Sequence, residues 1–437
     1  IHVRTPDHPL LRNMQIEGRE PGAKSLSEQF GHNASWMAIG DRAGFNVLLS
    51  NTEDDSRTAL LEGAHGKGRY ILSSLFLDRL YDENGNTTRS AGFMETARTF
   101  YKNLLTYTRE LHTPRGVPAM LNGKYEDPAP AAFPEGGFSL ALIPDTQYYC
   151  QTPEHNIHFH NLVDWIIDHR DMYNIKYAMH LGDVVNRGGI EMHQWDIAAE
   201  AMYKLDGHVP YSISLGNHDY TDDSSQNRAT PLNEFFHPSR YESWSTFGGC
   251  MDEGHLENTY HLFEAQNHKY LILALEFGPR DHVLEWANDM VAQHQDHRAI
   301  LTTHAYMYTD SYRFNLAERN DWQAWNPHNY RSEGGNNDGK DMWDKLISRH
   351  PNFFLVACGH VINDGLGRKS LTTPHGNSVH QMLCNYQGYY QGGMGTIRLL
   401  HFHPDGNRIQ VRTCSTSQQR FYTGIQNQFQ LNIDLKV

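Results

Sequence analysis

The sequence has few cysteines and no long hydrophobic run. Its five cysteines are an odd number, widely spaced and without a CxxC pair, so we expect mostly free thiols and no obligatory disulfide framework. No apolar run approaches the length of a membrane span, and no signal peptide is recognisable. The chain opens with Ile1 rather than Met, which we take to mean that a leading segment was removed or left out. We therefore expect a soluble protein and leave its compartment open, export included.

Basic residues are also few. The chain has 37 Lys and Arg against 51 Asp and Glu, a formal net charge of -14. So acidic a surface argues against a duplex nucleic acid as partner, because that affinity rests on many phosphate contacts. A local cationic centre can still attract a single phosphate group, so a small phosphorylated substrate is compatible with this charge. Composition leaves the oligomeric state open.

Chain length and one stretch rich in Pro and Gly predict two domains. The chain has 437 residues, which exceeds what one hydrophobic core usually supports. Residues 112–137 include five prolines and four glycines, a composition typical of a linker. We therefore assign residues 1–111 to a small α/β accessory segment, residues 112–137 to a linker and residues 138–437 to the main domain.

The accessory segment carries a short pattern of its own. Residues 45–49 and 69–75 are predicted strands, and residues 95–111 are a predicted helix. A Gly-Lys-Gly turn at residues 66–68 precedes the second strand. This order resembles the final part of a class I glutamine-amidotransferase-like domain, over about a quarter of the chain. Because no cysteine precedes Cys150, we expect the segment to lack a catalytic nucleophile.

The main domain alternates between apolar runs and amphipathic helices. This alternation predicts an α/β architecture with layered sheets covered by helices on both faces. The predicted strands are residues 138–143, 175–181, 209–215, 270–277, 299–303, 352–357, 380–386, 395–402 and 408–413. The predicted helices are residues 156–170, a segment around 195–205, 283–294 and 338–350.

Polar motifs follow several of these strands at the carboxyl end, where α/β folds place their ligands. They supply carboxylates, amides and imidazoles, which are ligands for divalent cations of borderline hardness. Each motif alone is more often a turn, and their conjunction in one order carries the signal. The motifs are Asp145-Thr146-Gln147, Gly182-Asp183, Gly216-Asn217-His218-Asp219, the lone His304 and Gly359-His360.

The ordered series DxQ, GD, GNHD, His and GH resembles the calcineurin-like metallophosphoesterase superfamily over roughly residues 138–415. The resemblance implies a sandwich of two mixed sheets flanked by helices. It also implies hydrolysis of phosphate monoesters or diesters at a centre of two divalent cations, Mn, Zn, Fe or Mg, about 3.5 to 4 Å apart. The implied ligands are Asp183 as the bridge, Asn217, His304 and His360 at one site, and Asp145 and Gln147 at the other.

The same resemblance assigns the proton transfer. A water or hydroxide held by the cations would attack phosphorus, and His218 would act as the general acid that protonates the departing oxygen. Asp219 would orient His218. Two further residues are candidate substrate contacts, Asn186 and Arg368.

The chain departs from the superfamily pattern at two positions, both on the Asp145 side of the expected centre. Gln147 replaces the more common histidine, and Ile362 stands where GHxH has its second histidine. Candidate compensating donors are Asn363, Asp364 and His380. The alternative function is a binding module for a phosphorylated or carbohydrate ligand, built on a phosphoesterase fold with an impaired metal site.

The missing donor at Ile362 predicts two cation sites of unequal strength. One cation should survive dialysis, and the other should be lost and restored by added Mn²⁺ or Mg²⁺. Ile362→His should tighten the weak site, since an imidazole replaces a side chain that cannot bind metal. Elemental analysis before and after dialysis checks this. Two tightly held metals in the unsupplemented wild-type protein would contradict it.

Overall fold

The fold is described from a computed structural model of the chain. It describes the backbone of strands within residues 2–73 and most residues from 133 to 435. In the second range, residues 223, 322, 363 and 423–425 are not described. The chain divides into two compact units, Ile1–Tyr125 and Glu126–Val437. The predicted helix at 95–111, most of the Gly-Lys-Gly turn and most of the predicted linker lie outside the described residues.

The first unit contains a sheet of four antiparallel strands. They are β1 (His2–Val3), β2 (Phe45–Ser50), β3 (Thr58–His65) and β4 (Gly68–Ser73), adjacent in chain order. Strands β2 and β4 overlap the two strands predicted at residues 45–49 and 69–75, and β3 was not predicted. The resemblance of this segment to a glutamine-amidotransferase-like domain stays a prediction.

The second unit contains fourteen strands among its described residues. In chain order these are β5 (Phe138–Ile143), β6 (Ile175–His180), β7 (Tyr211–Ile213), β8 (Phe247–Cys250), β9 (Thr259–Ala265), β10 (His268–Ala274), β11 (His297–Thr302), β12 (Phe353–Cys358), β13 (Leu366–Thr372), β14 (Ser378–Cys384), β15 (Thr396–Phe402), β16 (Arg408–Ser415), β17 (Arg420–Tyr422) and β18 (Gln428–Asn432).

These strands form two mixed sheets of seven strands each. The first has the order β17-β16-β15-β5-β6-β7 with β18 paired to β16, and the second has the order β13-β14-β12-β11-β10-β9-β8. In the first sheet β5, β6 and β7 are parallel. In the second sheet β10, β11, β12 and β14 are parallel. The remaining pairs are antiparallel.

Helices connect and cover the strands. The longer helices have one apolar face, and in Asn156–Asp168 this face buries Phe159, Leu162, Val163 and Ile166. Among the described residues, the α-helices are Gln147–Gln151, Asn156–Asp168, Arg170–Tyr173, His193–Met202, Leu232–Phe235, Ser239–Glu242, Asp281–Gln293, Leu316–Arg319 and Gly339–Lys345. The 3-10 helices are Pro153–His155, Tyr203–Leu205, Asn217–Asp219, Pro327–Tyr330, Ile347–Arg349 and Tyr390–Gly393.

Strand β5 is buried on both faces. Phe138, Leu140 and Leu142 belong to a core cluster shared with the second sheet, while Ala141 and Ile143 belong to the cluster that includes the helices. The ring of Phe138 lies 5.5 Å from that of Tyr270 on β10, so aromatic packing joins the two sheets. This arrangement explains why the β5 sequence is continuously apolar rather than alternating.

The predicted sandwich of two mixed sheets flanked by helices is confirmed. Five strands of the second unit were not predicted, namely β8, β9, β13, β17 and β18. All five cysteines carry free thiols. Within the part of the chain that the structure describes, no helix combines the length and apolar character needed to cross a bilayer.

Candidate metal centre

The carboxyl ends of parallel strands from both sheets meet at one place. From the first sheet, β5, β6 and β7 lead into Asp145, Asp183 and Asn217; from the second, β11 and β12 lead into His304 and His360. Bonds across the sheets hold the loops together. The ring Nδ1 of His304 lies 2.8 Å from the Leu181 carbonyl oxygen, and the His360 amide donates to Oδ2 of Asp145 at 3.1 Å. The structure thus brings the predicted ligands from both halves of the domain into one cluster.

Asp183, His304 and His360 form the tightest part of the cluster. One ligand atom from each lies within 4.8 Å of the others, and all three residues are buried. Nδ1 of His304 is engaged by the Leu181 carbonyl and Nε2 of His360 lies 2.9 Å from the Trp325 carbonyl. Each bond fixes a ring and leaves the opposite nitrogen for a metal.

Four buried side-chain atoms of the predicted ligands make no hydrogen bond to any described residue. They are Oδ1 of Asp145, Oε1 of Gln147, Oδ1 of Asn217 and Nε2 of His304. Nε2 of His304 lies 3.1 Å from Oδ2 of Asp183 without the geometry of a hydrogen bond. An unsatisfied buried polar group costs about 1–3 kcal/mol, and all four atoms are metal-ligand types. The residues therefore fit a divalent-cation centre.

The pKa shifts within the cluster also favour a bound cation. Burial raises the pKa of Asp145, although the positive charge of His304 opposes it. Burial also disfavours charge on Asp183, but His304 and His218 outweigh it and hold the pKa of Asp183 below its usual value. Burial lowers the pKa of His304, yet Asp183 and Asp145 raise it to about 9. Two buried carboxylates thus require compensating positive charge, which a proton on His304 or a cation can supply.

Three glycines let the strand ends approach this closely. A Cβ on Gly216 would lie 2.1 Å from Oδ1 of Asp183, and one on Gly359 would lie 2.1 Å from Oδ1 of Asp145. Gly182 has φ +95° and faces the His304 ring. Asp183 and His360 themselves adopt positive φ values of 49° and 78°, which side-chain-bearing residues rarely do. The glycines of the GD, GN and GH motifs therefore provide space for the ligands.

His218 is oriented by a backbone carbonyl. Its Nδ1 lies 2.9 Å from the carbonyl oxygen of Asn186, and its backbone amide donates to Oδ1 of Asp183 at 3.1 Å. The expectation that Asp219 orients the ring is wrong. The carboxylate of Asp219 instead accepts from the backbone amides of Val185 and Gly216, at 3.0 and 2.8 Å, and so ties the β6 and β7 loops together.

The remaining candidate ligands and substrate contacts make bonds of several kinds. Both ring nitrogens of His380 are engaged, by Ser370 at 2.7 Å and the Asn432 carbonyl at 2.8 Å, which leaves neither for a metal. Arg368 donates to Gln426 and lies over the ring of Phe429. Asn186 contributes its backbone carbonyl to His218, Asp364 accepts from the Leu366 amide, and Asn363 lies outside the described residues.

The sequence reading missed two amides in this cluster. Asn385 and Gln387 follow β14, which is parallel to β12, and both side chains donate to Oδ2 of Asp145, at 2.7 and 3.2 Å. Gln387 directly follows the predicted strand 380–386, so the rule that found the other motifs covers it, whereas Asn385 lay inside that predicted strand, which ends at Cys384 in the structure.

A second group of potential ligands is His328, Asp338 and Asp341. Asp338 caps the helix Gly339–Lys345, and its two oxygens accept from the backbone amides of Lys340, Asp341 and Leu316 and from Asn326. His328 lies 2.7 Å from Asp341. These polar atoms already have partners, so the group serves as a helix cap.

A calcineurin-like phosphoesterase family profile matches residues 138–364. An uncharacterized protein of Bacillus subtilis, YvnB, is 28% identical over 318 residues, which are 68% of this chain and 22% of that protein. The chain thus spans about a fifth of the length of that relative.

Two solved structures resemble this chain at low sequence identity. A dimetal phosphatase from Danio rerio has 13% identity and a TM-score of 0.43, covering 68% of this chain and 99% of that one. An NAD nucleotidase from Haemophilus influenzae has 13% identity and a TM-score of 0.35, covering 66% and 54%.

The close approach at Gly359 gives a test of the centre. Gly359→Ala should lower metal content sharply, because the added Cβ must displace Asp145, and overpacking should cost about 1–3 kcal/mol of unfolding free energy. Gly207→Ala is the matched control. Its Cβ would meet nothing within 4 Å at φ +73°, so it should lose about 1–2 kcal/mol and keep its metal. Elemental analysis and thermal unfolding check both variants; equal metal content would contradict the prediction.

Proposed function

This chain belongs to the calcineurin-like phosphoesterase family, and on that basis we propose that it hydrolyses small phosphate esters, monoesters or diesters, with two divalent cations. The observation that carries the proposal is the set of four buried ligand atoms without hydrogen bonds, on Asp145, Gln147, Asn217 and His304. They come from both sheets, and Nε2 of His304 lies 3.1 Å from Oδ2 of the bridging candidate, Asp183. Buried oxygens of Asp145, Gln147 and Asn217 without a hydrogen-bond partner are costly, and a cation at the strand ends would satisfy them.

The residues divide between two cations. His304, His360 and Asn217 would hold one, Asp145 and Gln147 the other, and Asp183 would serve both. Bound there, the pair supplies positive charge that polarises a phosphoryl oxygen and makes a water acidic enough to attack. The chain itself fixes the ligands through the Leu181 and Trp325 carbonyls, so little reorganisation is needed on loading.

His218 is the proposed general acid. The ring is half-buried at the rim, and Nδ1 is held by the Asn186 carbonyl, so Nε2 is the nitrogen that can exchange a proton with substrate. The amide of the same residue donates to Asp183, which fixes the distance between the acid and the bridging carboxylate. A proton delivered from this position would reach the departing oxygen of an ester.

The alternative proposal is a binding module that recognises a phosphorylated or carbohydrate ligand without turnover. Ile362 favours it, since an apolar side chain stands where the superfamily pattern has a ligand. Metal content, together with release of nitrophenol from aryl phosphate monoesters and diesters, separates the two. A protein that holds metal yet releases no product from any ester would support the module.

The bridging role of Asp183 is tested by Asp183→Asn. Removing one charged oxygen should lower metal content and reduce turnover by more than about 100-fold, because even outer partners of metal ligands are worth 10–100-fold. Asp206→Asn is a matched control, since Asp206 pairs with Arg240 near the opposite end of β7. It should keep metal and turnover. Full metal and near-normal turnover in Asp183→Asn would refute the bridge.

The acid role of His218 is tested by leaving-group dependence. His218→Ala should slow hydrolysis of alkyl esters by about 100- to 10,000-fold, and aryl esters with acidic leaving groups much less, since their oxygens need little protonation. His208→Ala, at an exposed position before β7, should change neither. Equal losses for both ester classes would assign His218 a structural role.

A further inference from the structure

Near Asp145, the chain has Ile362 and the buried side chain of Gln387. Ile362 occupies the position of the second histidine in the superfamily pattern, and a Cβ on Gly388 would lie 3.8 Å from Cβ of Ile362. The residue before Gly388 is Gln387, which is only 3% exposed. The chain that follows β14 therefore passes beside the place of the missing imidazole, and it carries the buried amide of Gln387.

The amide of Gln387 contacts both residues of the weak site. Its Nε2 donates to Oδ2 of Asp145 at 3.2 Å, and its Oε1 accepts from Nε2 of Gln147. Asn385 supports it, since its Oδ1 accepts from the Gln387 backbone amide at 3.0 Å. Gln387 thus links Asp145 to Gln147 through one rigid planar group.

These bonds decide which atoms remain for a cation. Oδ2 of Asp145 accepts from the Gln387 and Asn385 side chains and from the His360 amide, which leaves Oδ1 as the unpaired oxygen. The NH₂ end of Gln147 is used by Gln387, which leaves Oε1 unpaired within the described structure. An amide binds a cation only through oxygen, so fixing its NH₂ end fixes the ligand.

We propose that Gln387 is a positioning residue that builds an all-oxygen cation site from Asp145, Gln147 and Asp183 in place of the missing histidine. The inference rests on the proposed function. Oxygen ligands without imidazole select hard divalent cations, Mg²⁺ or Mn²⁺, whereas the site of His304 and His360 suits Zn²⁺ or Fe²⁺. The two halves of the centre therefore differ in the cation they take.

The test is Mn²⁺ titration of the full chain, followed by elemental analysis and electron paramagnetic resonance. Gln387→Leu should lower the affinity for one cation by about 10–100-fold, the usual effect of losing a group that orients a ligand. The affinity for the other cation should not change. Gln381→Leu is the control, because Gln381 is equally buried on β14 and accepts from Tyr306 rather than contacting Asp145. It should retain both affinities, and a loss equal to that of Gln387→Leu would overturn the proposal.

A second variant separates positioning from direct ligation. Gln387→Glu cannot donate to Asp145, so it should also weaken the site; tighter binding would show that residue 387 is itself a ligand and overturn the proposal. Pulsed electron paramagnetic resonance of Mn²⁺ in the weak site should show no directly coordinated nitrogen. A strong nitrogen coupling would overturn the proposal that all its ligand atoms are oxygens. Unchanged affinities in Gln387→Leu would overturn this inference alone, whereas a wild-type chain that binds no divalent cation would overturn the proposed function.

Discussion

Two buried carboxylates at the junction of two sheets are the constraint on which the site depends. Asp145 and Asp183 are both buried, and the charge of Asp183 adds to the burial that raises the pKa of Asp145. Burying such charges is costly unless opposite charge is supplied nearby. His304, from the second sheet, has a pKa raised to about 9 by these carboxylates. The carboxylates of Asp145 and Asp183 and the imidazole of His304 therefore attract each other across the two sheets, at the place where a cation would bind.

Backbone geometry makes this junction possible. Strand ends normally cannot approach with side chains between them, and Gly182, Gly216 and Gly359 remove the Cβ atoms that would collide. Asp219 then uses its carboxylate to join the β6 and β7 loops rather than to act on His218. Main-chain contacts thus help to position Asp183, His304 and His360. The positive φ of Asp183 and His360 indicates that the surroundings over-determine the ligands.

The sequence predicted the fold and most of the cluster because both follow from local pattern. Fully apolar strands such as β5, each followed by a polar motif, can be recognised in the sequence alone. Strand β13, at a sheet edge with Lys369 and Ser370 half-exposed or exposed, has no comparable periodicity and was missed. His380 was a candidate ligand in the sequence, but its ring nitrogens bond to Ser370 and to the Asn432 carbonyl. These partners depend on the register of the strands, which the sequence does not show. Gln387 was missed because no motif of the superfamily pattern includes it, and its contact with Asp145 follows from the pairing of β14 with β12.

The charge of the ligand set explains how an acidic chain could attract phosphate. Among the proposed ligands only Asp145 and Asp183 are anionic, while Gln147, Asn217, His304 and His360 are neutral when they bind a metal. Two carboxylates offset only half the charge of two divalent cations, so the loaded centre stays positive although the chain carries -14. Exchanging an imidazole for amide oxygens preserves this balance, since both are neutral. On the proposed ligand assignment, the departures at Gln147 and Ile362 would change which cation the second site prefers and would leave the electrostatic attraction for a phosphate in place.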